Sequence, residues 1–75
     1  MSITATELEI LKIINDKNGS ISMKELSSKA RFEIGYTYLL CKSLSKLGCV
    51  GFFIHSSCRI TAKGNSLLIE QDSRE

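Results

Sequence analysis

Seventy-five residues, 43% of them hydrophobic and 24% charged, suffice for one small core and one domain, spanning residues 1–75. The formal net charge of +2 selects no partner by itself, and the apolar content excludes a disordered tail. No apolar run approaches the roughly 20 residues that a membrane-crossing helix needs, and residues 1–9 lack the basic and apolar regions of a signal peptide, so no membrane partner and a cytoplasmic location are expected.

The first element opens at Thr4-Ala5-Thr6-Glu7, a capping-box pattern in which hydroxyl and carboxylate each satisfy an orphan amide. It predicts a helix to about Lys17, stopped by Asn18-Gly19. Leu8, Ile10, Leu11, Ile13 and Ile14 cover more than half of its circumference, leaving Glu9, Lys12 and Asp16 as a polar strip. So wide an apolar arc suits a central helix packed on several sides. The alternative use of that face is a dimer contact through Ile10 and Ile13.

Ser20-Ile21-Ser22 reads as a short first strand. Ser22-Met23-Lys24-Glu25 repeats the capping-box form and opens a short second helix to about Ala30, with Met23, Leu26 and Ala30 inward. Arg31-Phe32-Glu33 forms a turn, and a third helix follows from about Ile34 to Leu47. Leu40, Leu44 and Leu47 repeat at helical spacing, and Gly48 stands where a left-handed cap is wanted. Two helices joined by a tight turn, the second longer and stopped by glycine, make a helix-turn-helix candidate.

Residues 50–54 are rich in β-formers, residues 55–57 read as a reversal, and Cys58-Arg59-Ile60-Thr61 returns as the partner strand. Alternation places Cys58 and Ile60 on one face and Arg59 and Thr61 on the other. Thr61 caps a last helix from Ala62 to about Gln71, and residues 72–75 fray.

Charge is uneven along this order. Residues 22–64 hold seven basic side chains (Lys24, Lys29, Arg31, Lys42, Lys46, Arg59, Lys63) against Glu25 and Glu33, whereas both ends are mildly acidic. A basic middle is what a nucleic-acid face requires.

Three passages carry a family resemblance. Ser22-Met23-Lys24-Glu25-Leu26-Ser27-Ser28-Lys29-Ala30 resembles the second helix of winged helix-turn-helix transcription regulators. Leu40-Cys41-Lys42-Ser43-Leu44-Ser45-Lys46-Leu47-Gly48-Cys49-Val50 resembles the end of their recognition helix. Ile60-Thr61-Ala62-Lys63-Gly64-Asn65-Ser66-Leu67-Leu68 is similar to the leucine-threonine-x-x-glycine-x-x-leucine-leucine passage that follows their wing. The resemblance spans about residues 4–71, and small archaeal, bacterial or viral regulators look most similar.

The resemblance implies an α+β fold, with a three-helix core, a β-hairpin wing and a short C-terminal helix. It implies duplex DNA as partner, bound with sequence direction or weak specificity by a small homodimeric transcription regulator. The third helix would enter the major groove while the wing touches the backbone. Family positions on that helix fall on Gly35, Tyr36, Tyr38, Leu39 and Lys42, and wing positions on His55, Ser56, Ser57 and Arg59. Lys46 and Lys63 join Lys42 and Arg59 as candidate phosphate contacts. The dimer surface would be the broad face of the first helix, or residues 67–69 in the last.

The reading face departs from the family pattern. Recognition helices usually offer Arg, Asn, Gln or Ser to base edges, whereas this one offers two tyrosines and a leucine. The alternative function is therefore a winged-helix protein–protein interaction module without DNA binding, docking through Tyr36, Tyr38 and Leu39.

Other chemistries find little support. Three cysteines form no closed disulfide framework, and Cys41, Cys49 and Cys58 read as small core fillers. With His55 they make four candidate zinc ligands, but the pairwise spacing that pre-forms a structural site is missing, so no metal is expected. Lys42 beside Cys41 is the sole hint of a redox-sensing thiol. One histidine without a neighbouring acid or nucleophile, and no glycine-rich phosphate loop, argue against an enzyme and against a cofactor.

Overall fold

A computed structural model of the chain describes residues 3–53 and 57–73. In chain order the elements are α1 (Ala5–Asp16), β1 (Ser20–Ser22), α2 (Met23–Ala30), α3 (Ile34–Lys46), β2 (Val50–Phe53), β3 (Ser57–Ile60) and α4 (Ala62–Ser73).

The α1 capping box forms as its sequence implies. Thr4 Oγ1 accepts from the Glu7 amide at 3.1 Å, and the Thr4 amide donates to Glu7 Oε1 at 2.9 Å. Asn18 and Gly19 then take left-handed backbone, with φ of 62° and 86°, and end the helix. Ile10, Leu11 and Ile14 are wholly buried, because α1 lies against α2, α3, α4 and β3 at once. A dimer contact through Ile10 is thereby ruled out: that side chain is consumed inside the monomer, and Ile13 packs half-buried on the same core.

At α2 only half of the expected capping box forms. Ser22 Oγ accepts from the Glu25 amide at 3.2 Å, but the Glu25 carboxylate turns to Lys17 Nζ, 2.9 Å away. A solvent-exposed pair of this kind adds little stability. The turn into α3 lacks glycine, and Arg31 itself takes the left-handed cap with φ of 63°. The Arg31 and Phe32 amides donate back to the Ser28 and Ser27 carbonyls, closing α2 and aiming the chain into α3.

Beyond α3, Gly48 adopts the left-handed cap with φ of 81°. The three strands form one antiparallel sheet in the order β1-β3-β2, with Ile21, Cys58 and Phe52 in register across it. The hairpin is therefore widened by β1, which pairs along β3. Ser57, expected in the reversal, instead begins β3 and pairs with both Ser22 and Phe53. Central pairing leaves it half-buried, so it is part of the sheet rather than of the hairpin tip. Residues 54–56, which include His55 and Ser56, lie outside the described residues.

Met23 and Leu26 of α2, Cys41 and Leu44 of α3, Ile21, Cys49, Val50 and Cys58 from the sheet and its approach, and Leu68 of α4 complete the core around α1. All three cysteines are buried free thiols, as core fillers should be. The last helix extends past Gln71 to Ser73, and of residues 67–69 only Ile69 is exposed. No helix among the described residues is long and apolar enough to cross a membrane.

Candidate nucleic-acid interface

Gly35, Leu39, Lys42 and Lys46 recur at spacings of three and four, which puts them on one stripe of α3. All four are exposed, and Tyr38 flanks them. The opposite face carries Thr37, Cys41 and Leu44, all fully buried. The stripe divides by chemistry. Its first half is apolar, with Leu39 62% exposed and Tyr38 44% exposed at its flank, while Ile34 (52%) and Tyr36 (46%) lie roughly 100° to either side of the stripe. Its second half is basic.

Both tyrosines are partly engaged. The Tyr36 ring stands edge-on to Phe32, with centroids 5.1 Å apart, bracing the turn against the first helical turn of α3. The Tyr38 ring lies 5.5 Å from that of Phe52 in β2, and Lys42 Nζ sits 5.9 Å above it. Each ring is thus held by an aromatic neighbour while about half of the residue faces solvent.

The sheet separates the remaining candidates. Phe52 and Cys58 face α3, meeting Tyr38 and Cys41. By alternation Phe53 and Arg59 occupy the far side, where the Arg59 guanidinium lies 4.7 Å over the Phe53 ring. Arg59 therefore does not join the α3 stripe. Lys63, in the first turn of α4, runs alongside Gly48 and so lies at the basic end of α3.

Two devices fix the angle of α3. One is a polar contact that joins it to α1. Ser43 Oγ donates to Glu7 Oε2 at 2.6 Å, while the Thr4 amide holds the other carboxylate oxygen. The Ser43 hydrogen bond, followed by that from the Thr4 amide, holds the Glu7 carboxyl below its ordinary range, against an opposing effect of burial. A depressed carboxyl pKa stabilises the fold above the ordinary value near 4.5 and ceases to do so as pH falls through the lowered value. Ser43→Ala is therefore expected to cost about 1.5–3 kcal/mol at pH 7, the usual worth of a hydrogen bond to a charged group. The difference should shrink once acid protonates Glu7 in the parent protein. Urea melts of both proteins from pH 7 down through the acid titration of Glu7 measure this; a difference that stays constant after Glu7 has protonated would show that the Ser43 bond does not depend on the carboxylate.

The other device closes the hairpin. Thr61 Oγ1 accepts from the Gly64 amide at 3.1 Å and donates to the Gly48 carbonyl at 2.6 Å. The Thr61 amide donates to the Cys49 carbonyl at 3.0 Å. One residue thus caps α4 and ties it to the end of α3. Gly64 is buried against the same strand entry: a Cβ there would strike the Cys49 carbonyl oxygen and approach Ile60 Cγ1 to 2.9 Å. The threonine-x-x-glycine passage has a physical reason in this close approach.

Cys41 Sγ and Cys58 Sγ lie 4.0 Å apart in the core between α3 and β3. Sharing a proton with Cys58, and burial, push the Cys41 thiol well above its ordinary range. Both thiols are wholly buried, so the pair packs the helix on the sheet rather than forming an exposed reactive site.

No family model matches the sequence, and no curated protein matches it. Solved structures do match. The reduced form of MarR from E. coli superposes with a TM-score of 0.89 at 20% identity, over 97% of this chain and 54% of that one. The ligand-free structure of NadR gives 0.83 at 19% identity, over 96% of this chain and 54% of that one. A Pseudomonas aeruginosa PA01 protein assigned as a transcriptional regulator gives 0.79 at 19% identity, over 91% and 49%.

The fold is a winged helix. Its helix-turn-helix is α2 and α3, its wing is β2 and β3, and α4 packs on α1 and β3. The chain spans about half the length of the structures it matches. Sequence reasoning located the stripe of this winged helix but missed the Glu7–Ser43 contact that orients it. Partners 36 residues apart leave no periodic signal.

Proposed function

We propose that this chain is a duplex-DNA-binding module of a transcription regulator, with α3 in the major groove. The single observation that carries the reading is the outward stripe of α3, placed after a tight turn and ending in Lys42 and Lys46. A helix about 10–12 Å across fits the major groove. Lysines along its second half then meet phosphates at the groove wall. Lys63 extends that basic end, and the wing of β2 and β3 approaches the neighbouring backbone. The assignment of one matching structure to a transcriptional regulator supports the same reading. Binding as two copies belongs to it, with half-sites about one helical turn apart. Location in the cytoplasm and absence of catalysis follow from that role.

The test is fluorescence anisotropy of a mixed-sequence duplex of about 25–30 base pairs, titrated at salt concentrations from about 50 to 200 mM. The expected result is binding in the micromolar range at low salt, with log affinity falling linearly against log salt. Absence of binding at low salt would overturn the reading for this chain. A protein partner on Tyr36, Tyr38 and Leu39 would then be the better account of the exposed apolar half.

A further inference from the structure

We propose that the first half of α3 reads thymine by its methyl group, through Leu39 flanked by Tyr38, an inference that rests on duplex binding by the stripe. The observation behind it is what this surface lacks as much as what it carries. Base edges in the major groove are told apart by hydrogen bonds and by one apolar feature, the C5 methyl of thymine. Forked donors such as Arg, Asn and Gln are absent from residues 34–46. Thr37 is buried, with its hydroxyl donating to the Glu33 carbonyl, and Ser43 is occupied by Glu7. Leu39 is the most exposed large apolar residue of the helix, and it stands between Gly35 and Lys42 on the outward stripe.

The charge pattern sets the orientation. Glu33 at the start of α3 repels phosphate, whereas Lys42 and Lys46 attract it toward the other end. The apolar half is thereby directed to the groove floor and the basic half to its wall. Gly35 adds no side chain on the stripe, and a Cβ there would meet nothing within 4 Å. The base pairs can therefore approach the backbone closely beside Leu39. In water an exposed leucine has no compensation for its apolar surface; against a methyl group it gains burial without needing a donor or acceptor. A surface of this kind favours A·T steps and tolerates either strand orientation, giving modest specificity.

Each methyl buried should be worth about fourfold in affinity. The test compares four hairpin duplexes of about 20 base pairs at one salt concentration: alternating A·T, the same with deoxyuridine for thymidine, alternating G·C, and the same with 5-methylcytosine. Deoxyuridine removes only the methyl, and 5-methylcytosine presents it at the same groove position on a different pair. The expected result is roughly fourfold weaker binding of the uracil duplex if α3 buries one methyl and about fifteenfold if it buries two, with a matching gain for methylated G·C. Leu39→Ala should bring both ratios toward one while leaving the salt slope unchanged. Leu39 lies outside the core, so the variant keeps its fold, and the duplex comparison needs no protein variant at all. Equal binding of the thymine and uracil duplexes with a normal salt slope would overturn methyl reading and leave duplex binding standing. No binding to any of the four would overturn both.

Discussion

Gly64→Ala is expected to destabilise the chain by about 3 kcal/mol. The new methyl would lie against the Cys49 carbonyl oxygen, which is backbone and cannot rotate away as a side chain does. Overpacking of a close contact costs about 1–3 kcal/mol, and the upper end applies when the obstacle is rigid. Relief requires α4 to withdraw from the strand entry, which loosens the Thr61 hydrogen bonds to Gly48 and Cys49 at roughly 1 kcal/mol each. Alanine regains about 1 kcal/mol of helix propensity. A small domain holds roughly 0.05–0.15 kcal/mol per residue in total, so a net loss of this size consumes a large share. The melting temperature should drop by about 12 °C or more.

Gly48→Ala supplies the contrast. Its positive φ makes it the more conspicuous glycine, yet a Cβ there meets only the flexible Lys63 side chain, at 3.6 Å. The cost is the left-handed backbone alone, about 1–2 kcal/mol. Thermal melts followed by circular dichroism rank the two. If Gly48→Ala proved the worse, the docking of α4 on Cys49 would be wrongly placed.

This ranking shows where sequence reasoning succeeds and where it stops. Features held by neighbours in the chain were legible: the Thr4–Glu7 box, the stop at Asn18-Gly19, the Gly48 cap and the Thr61 cap each need fewer than five residues. The stripe of α3 was legible too, because helical periodicity alone separates Leu39 and Lys42 from Cys41 and Leu44. Competition between elements was not. Glu25 has the spacing to complete a capping box, yet Lys17, just past the end of α1, takes its carboxylate. Ser57 looks like a turn residue, yet a third strand along β3 draws it into the sheet. Arg31 occupies a backbone conformation that its type rarely adopts, and only the closure of α2 against α3 explains it.

The same limit applies to the candidate site. Arg59 and Lys42 are equal as cations in the sequence, but alternation across β3 puts Arg59 behind the sheet, over Phe53, while Lys42 remains on the outward face of α3. Lys63 is seventeen residues beyond Lys46 and yet lies at the same end of the helix, because Thr61 pins α4 to Gly48. Tertiary placement, not residue type, sets the order in which these cations should matter.

Neutralising Lys42 and Lys46 together should therefore have a larger effect on DNA binding than any other pair of surface changes. Each phosphate contact on B-form DNA contributes about −0.9 to the slope of log affinity against log salt. Lys42→Gln with Lys46→Gln should make that slope shallower by about 1.8, and glutamate at both positions should weaken binding more than tenfold near 0.1 M salt, where exposed charges still act over roughly 10 Å. Arg59→Gln should change the slope by less than either lysine alone, since its guanidinium rests on an aromatic ring behind the sheet. Both lysines are exposed, so the melting curves of the glutamine variants should stay near that of the parent. Anisotropy titrations of these variants and the parent across salt concentrations decide the matter. A double variant with the parent slope would remove α3 from the phosphate backbone. A larger change from Arg59 than from the lysines would move the binding face to the far side of the wing.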